Sequence, residues 1–435
     1  MQRDLDIAVV RLNTNGTLDT TFGDGGVAII DFGQATGGLR DSLYGMDRDS
    51  TGRLVLFGST RGAGRSDADR YVARLTATGQ LDSTFATNGV HRLDISNLGD
   101  NQRHGVVLPD GKILSGGYTS MATHVSFPDG GAQFANRVVL LRLTSAGAPD
   151  PTFGDGGVVT TPQLLPANPA TTLWGMAESY GVAMQSGGRA VSYGYGRYAP
   201  AGRVDQVSFR YDNAGAVDST WGDGGTLLVD LIGGDERARH GVALPDDRIA
   251  IVGSGAPLNV SNIDAMVTLT TPNGALDTSF GAGSGYRLWN FTRADEAFWA
   301  SAVGPGATML AAAGYRTGPA NTAAENDDAL LLVLPLTGVG VEFAQPVPLD
   351  VAAHDRFYGV AWDGMKIVGA GFVRSGADTR FAAARFNADG TPDTTFGAQG
   401  RATFDLSVNG GTEETARWVV VQPDGKIVLA GVIER

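Results

Sequence analysis

One ten-residue stretch, LDTTFGDGGV at 18–27, constrains this 435-residue chain more than any other feature, because the chain repeats it. The stretch has neither the 3.6-residue period of a helix nor the alternation of a strand. Related copies read LDSTFATNGV from 81, PDPTFGDGGV from 149, VDSTWGDGGT from 217, LDTSFGAGSG from 276 and PDTTFGAQGR from 392. A worn copy, TGVGVEFAQP, starts at 337. The glycines that open the copies (Gly16, Gly79, Gly147, Gly215, Gly274, Gly338 and Gly390) are spaced by 63, 68, 68, 59, 64 and 52 residues. Seven units of about 60 residues decide the architecture before any local reading does.

Within a unit the pattern is that of strands. HGVVLPDGKILSGG (104–117) is an apolar run, a PDG turn and a second apolar run. Asp-Gly between two apolar runs signals a hairpin, since glycine accepts the positive φ of a tight turn. The hairpin recurs as VVVQPDGKIVLAG at 419 and GVALPDDRIAIVG at 241. A variable loop follows, then a third strand (RVVLLRLTSAG, 137–147), the repeated turn, and a fourth strand (GVVTT, 157–161). Four antiparallel strands per unit, seven times over, predict an all-β fold, a seven-bladed β-propeller occupying 1–435 as one domain. The chain opens on a third and fourth strand (DIAVVRL, 6–12, and GVAIIDF, 26–32) and closes on a first and second (RWVVVQPDG, 417–425, and KIVLAGV, 426–432). The closing blade is therefore expected to join 1–33 with 413–435, which leaves no open sheet edge.

The repeated turn reads as structure. Its aspartate can hold nearby backbone amides, its Phe (Trp221 in one copy) can plug the space between neighbouring blades, and its glycines let the backbone turn back. Asp24, Asp155 and Asp223 of the GDGG tetrads could offer calcium an oxygen, but one carboxylate per loop is too few for a site, and no metal is expected.

These residues carry a resemblance. RLNTNGTLDTTFGDGGV (11–27), RFNADGTPDTTFGAQG (385–400) and VVVQPDGKIVLAG (419–431) are similar to the delta-60 repeat family, also described as a β-propeller domain of unknown function. The resemblance covers essentially the whole chain, although the third-strand Arg is missing from AMVTLTTPNG and ALLLVLPLTG. It implies a propeller and a secreted or surface bacterial protein, and it implies no particular activity.

Composition narrows the partners. The formal net charge is −13 and no basic cluster is present, which argues against nucleic acid or an anionic membrane as partner. With no cysteine, neither disulfides nor thiolate metal sites are available. The longest apolar run, ALLLVLPL from 329, is too short to span a bilayer, and no signal-like segment precedes the first strand. A mature monomer without cofactor is expected, and no nucleotide-binding or hydrolase motif occurs.

Chemistry is expected where the first strands begin, at the mouth of a central channel. Aligning the seven entries gives a column of Tyr44, His104, Tyr180, His240, Trp299, Tyr358 and Trp418. Upstream of it stand carboxylates: Asp41, Asp100, Glu178, Glu236, Asp295 or Glu296, Asp355, and Glu413 or Glu414. Arg103, Arg239 and Arg417 are adjacent, with Arg40 and Arg356 close by. One reading makes this column interblade packing stiffened by Asp–Arg pairs. The other makes it an aromatic-walled pocket for a glycan or peptide, with aromatic faces for C–H faces of sugars and polar groups for hydroxyls. Under an enzymatic alternative, a polysaccharide lyase or hydrolase, His104, His240, Tyr44, Tyr180 and Tyr358 would move protons while Arg103 and Arg239 neutralise an acidic sugar. His354, beside Asp355, is a further candidate base, while His91 and His124 read as surface residues. Long loops at 117–136 and 314–328 should build the walls, with Tyr118, Phe127, Phe134, Tyr195, Tyr198 and Tyr315 in such loops.

Overall fold

A computed structural model describes residues 5–32, 40–61, 67–121, 124–126, 132–134, 136–161, 174–198, 203–230, 233–256, 262–291, 295–317, 327–336, 342–350, 353–406 and 412–434. Phe127 and residues 318–326 of the 314–328 loop lie outside these residues, as do the side chains of His124, Phe134 and Tyr198 and the start of the worn copy at 337. Among the described residues the chain is all-β, with three 3-10 turns of three residues each, and it has the seven-bladed β-propeller fold. No helix in it is long and apolar enough to cross a membrane.

Each blade is a four-stranded antiparallel sheet whose strands follow in chain order, apart from one inserted hairpin and with one exception. That exception pairs Val27–Ile30 with Leu5–Leu12, then Leu5–Leu12 with Ile427–Glu434, then Ile427–Glu434 with Glu414–Val421. The two ends of the chain thus make one sheet, as the half-repeats at the termini predict. A separate hairpin, His124–Ser126 with Ala132–Phe134, lies within the 117–136 loop.

The chain divides into two compact units, one comprising 1–92, 291–294 and 298–435, the other 93–290 and 295–297. In both, second and third strands are buried along most of their length, as in Leu54–Thr60, Leu5–Leu12 and Val204–Tyr211, so they read as largely continuous apolar runs. First strands alternate instead. Asp41–Arg48, Asp100–Val107 and Asp355–Asp363 bury every second residue at their start and leave the others half-buried.

Within each unit the repeated turn latches neighbouring blades together. In the first unit Arg11 Nε donates to Asp19 Oδ2 (2.7 Å), and Asp19 Oδ1 accepts from the Thr21 hydroxyl and backbone N–H. The Arg11 guanidinium lies over Phe22 (4.7 Å) and also donates to the Ala77 carbonyl of the following repeat (2.6 Å). Phe22 is fully buried against Gly79, where φ is +87° and any Cβ would fall within 2.8 Å of its ring. That is why each copy opens on glycine. Arg385, Asp393 and Phe396 repeat the set against Thr14 and Gly16, and Arg142, Asp150 and Phe153 repeat it in the second unit against Asn213 and Gly215. In one of the two copies where the third-strand Arg is missing, Arg248 of the PDDR hairpin reaches Asp277 at 3.0 Å.

Candidate functional site

Every first strand with a described ladder carries a β-bulge at the same place. The strand-1 to strand-2 register jumps between Leu43 and Gly45, Gln102 and Gly105, Ser179 and Gly181, Ala238 and His240, Phe357 and Gly359, and Ala416 and Trp418. The residue before each bulge pairs with a glycine: Gly58, Gly117, Gly194, Gly253, Gly371 or Gly431. A Cβ on those glycines would come within 1.7–2.0 Å of a first-strand carbonyl oxygen. The bulge brings the strands that close, and only glycine tolerates it.

The bulge sets which side chains share a face. Its extra residue is Tyr44, Tyr180, Arg239, Tyr358 or Arg417, with Arg103 at the same place in its strand, and all are half-buried. Trp299 shows the same exposure in the strand Glu296–Val303. His104, His240 and Trp418 sit one place later, where other blades have Gly45, Gly181 and Gly359, and are buried. The sequence alignment therefore slips by one in three of seven copies, because a one-residue shift turns a strand side chain to the other face. The half-buried column holds four aromatics and three arginines. The second-strand glycine would have given the correct register.

In the second unit, three consecutive blades bring Arg103, Tyr180 and Arg239 together. The Arg103 and Arg239 guanidiniums lie 4.7 and 4.9 Å from the Tyr180 ring centroid. Arg103 also lies over Tyr118 (5.5 Å) and donates to its hydroxyl (3.2 Å), while Arg237 lies over Tyr195 (5.4 Å). The Tyr180 and Tyr195 hydroxyls are 3.3 Å apart, and Tyr195 donates to Glu178 Oε2 (2.9 Å). Asn136 Nδ2 holds the other Glu178 oxygen at 2.7 Å. Burial pushes the Tyr180 phenol up, but Arg103 and Arg239 outweigh it and leave the group below its ordinary value. Tyr195, buried beside Tyr180 and Glu178, is pushed well up. Of the two phenols, Tyr180 is thus the one drawn down.

The two histidines lie behind this layer. His104 and His240 are 9 % and 4 % exposed, with ring centroids 5.0 Å apart and edge to face. Tyr193 packs on His240 and has its hydroxyl 3.5 Å from His104 Nδ1. Burial pushes His240 down to about 3 and His104 well below its ordinary value, so both are neutral at pH 7.

In the first unit, Trp299 meets Tyr358 edge to face (5.3 Å), Arg417 lies over the same Tyr358 (4.4 Å), and Phe372 stacks on it (6.2 Å). Arg356 lies 3.9 Å over Tyr315 and pairs with Asp327 at 2.5 Å. His354 Nδ1 accepts the Asp327 backbone N–H at 3.1 Å. Tyr44 belongs to the same half-buried column at its own bulge.

The upstream carboxylates face inward. Asp41 accepts from the Phe32 N–H (2.7 Å) and the Thr60 hydroxyl. Asp100 takes the N–H groups of Ile95 and Ser96, Asp355 those of Ala329, Leu349 and Asp350, and Glu414 that of Leu406. Asp41, Asp355 and Glu414 each clamp the exit of the preceding blade's fourth strand, or the start of its third, to the next blade. Burial pushes Asp355 and Glu414 up to about 7 in spite of those donors. Glu236 and Glu296 are fully buried, and Glu178 stands one place off this column, among the half-buried tyrosines.

Comparison with known proteins places the fold. The chain matches, over 4–22, 50–85 and 363–396, the family described as domain of unknown function (DUF5122) beta-propeller. No curated protein sequence matches it. Among solved structures it is similar to the Kuenenia stuttgartiensis hydrazine synthase, with a TM-score of 0.51 and 11 % identity over 93 % of this chain and 99 % of that one. Chaetomium thermophilum Sqt1 bound to the N-terminus of ribosomal protein L10 gives 0.47 and 14 %, covering 91 % and 97 %. A PL25 ulvan lyase bound to a GlcA–Rha3S saccharide gives 0.44 and 12 %, covering 79 % and 80 %. At these identities the likeness is one of fold alone.

Proposed function

We propose that this propeller is a binding module for an acidic saccharide, with Arg103, Tyr180 and Arg239 as its recognition element. The observation that supports this most is local charge. In a chain of net charge −13, the half-buried layer of three consecutive blades gathers Arg103, Arg237 and Arg239 on the faces of Tyr118, Tyr180 and Tyr195. Tyrosine faces suit the C–H faces of a pyranose, and a guanidinium suits a carboxylate or sulfate in bidentate fashion. Trp299, Tyr358 and Arg417 offer the same chemistry in the first unit. An extracytoplasmic, monomeric protein without cofactor is part of this reading, and fractionation with sedimentation checks that part.

The test is calorimetric titration with uronate-bearing, sulfated and neutral oligosaccharides of matched length. Acidic oligosaccharides are expected to bind, more weakly as salt rises, and Arg239→Gln to weaken them roughly 10- to 100-fold. Equal affinity for the neutral set, or an unaffected Arg239→Gln protein, would overturn the proposal.

The lowered Tyr180 phenol favours a second reading, a polysaccharide lyase. Tyr180 as phenolate would take the proton α to a uronate carboxylate, the C–H electrons would form the ring double bond, and the glycosidic C–O bond would break at the β-carbon. The leaving oxygen would take a proton from solvent, and Arg103 and Arg239 would hold the carboxylate as charge develops on it. His104 and His240, buried behind this layer, serve it as packing. Unsaturated products that disappear in Tyr180→Phe would establish the lyase, whereas binding without products would leave the module reading alone standing.

A further inference from the structure

The second unit also gathers three carboxylates from three separate segments. Asp205 lies near the start of the third strand Val204–Tyr211, Asp230 follows the fourth strand Thr226–Val229, and Glu236 belongs to the next blade's first strand Asp235–Ala243. One oxygen from each lies within 4.8 Å of the others. Glu236 is fully buried and Asp205 is 4 % exposed, and the buried Asp205 Oδ1 has no hydrogen-bond donor. Burial, with Asp230 and Asp235 nearby, pushes the Asp205 carboxyl up to about 7.

In two other blades the same register relieves this charge with a donor. Asp264 is the counterpart of Asp205 and Asn290 that of Asp230, and there the Asn290 amide donates to Asp264 Oδ1 at 2.8 Å. In another blade Arg380 takes the place of Asp205 and lies 3.3 Å from Asp405, the counterpart of Asp230. Where the closing sheet meets the next blade, Asp6, Asp31 and Asp41 come together, but both Asp41 oxygens already accept protein donors. The Asp205 set has neither the amide nor the guanidinium at these positions.

We propose that Asp205, Asp230 and Glu236 form a binding site for a calcium-class divalent cation that ties two neighbouring blades together. The oxygens lie no farther apart than about twice a Ca–O distance, and the donor set is all oxygen, as a hard cation requires. Three ligands on three segments would make the ion a crosslink between a third strand, a fourth-strand exit and a first strand, with water filling the remaining positions.

The test is thermal unfolding and calorimetric titration of the full chain with CaCl2 after EDTA treatment, at about pH 8 so that carboxylates are ionised. Saturating calcium is expected to raise Tm by roughly 5 °C at near one-to-one stoichiometry for this site. Asp205→Asn should lose that increment while its metal-free Tm stays at or above that of the parent, since it removes a crowded charge. Asp230→Asn, at an exposed residue, repeats the test should the first variant fold poorly. Absence of a calcium increment in the parent, or an equal increment in both variants, would overturn the site.

Discussion

His240 shows what one residue's environment does to its chemistry. Its ring is closed in by Tyr193 and His104, and burial carries its pKa to about 3. The unfolded chain takes up the proton more readily than the folded one. Neutral His240 therefore adds stability above about pH 6.5, and that stability is lost as pH falls toward 3. His240→Phe removes the titration and keeps the ring. Its Tm is expected to fall less steeply than the parent's between about pH 6.5 and 4. Parallel slopes in a pH series of melting curves would show that His240 does not bear the acid sensitivity. At the same scale, Gly194 shows why the bulge needs glycine: a Cβ there would stand 1.9 Å from the Glu178 carbonyl oxygen.

The unit of stability at the next scale is the repeated turn with the strand that feeds it. In the Arg142–Asp150 copy both partners are buried and the guanidinium also holds the next repeat's Asn213 carbonyl. In the copy that lacks this Arg, Asp277 pairs with the more exposed Arg248. Removing one member of a buried, hydrogen-bonded pair costs about 3 kcal/mol, whereas a partly exposed pair is worth about 1 kcal/mol or less. Asp150→Asn is thus expected to destabilise the protein markedly more than Asp277→Asn in denaturant titrations. Equal losses would mean that the phenylalanine plug, rather than the ion pair, holds the turn.

For the whole molecule, the sheet shared by the two chain ends is the decisive element. Ile427–Glu434 lies between Leu5–Leu12 and Glu414–Val421 and pairs with both. A chain ending at Asp424 leaves two long, buried strands with bare edges, a template for association. Loss of the cooperative melting transition, with aggregation, is the expected result. A truncated protein that melts like the parent would show that the closing sheet is dispensable.

Much of this was legible in the sequence, because blade strands, tight turns and repeat spacing are local properties. Short apolar runs, PDG turns and the glycine opening each repeated stretch specify strand, hairpin and plug within some twenty residues, and the half-repeats at the ends specify the shared sheet. What only the tertiary structure decided is which side chains meet. A bulge adds one residue to each first strand with a described ladder, so the column that faces out with Tyr180 holds Arg103 and Arg239 rather than His104 and His240. The upstream carboxylates, legible as a column, clamp backbone of the preceding blade through contacts that no local pattern records. Asp205, Asp230 and Glu236 likewise come from strands whose proximity is set by packing. Periodicity fixes the face of a residue only until one residue is inserted, and neighbours tens of residues apart are chosen by how blades stack.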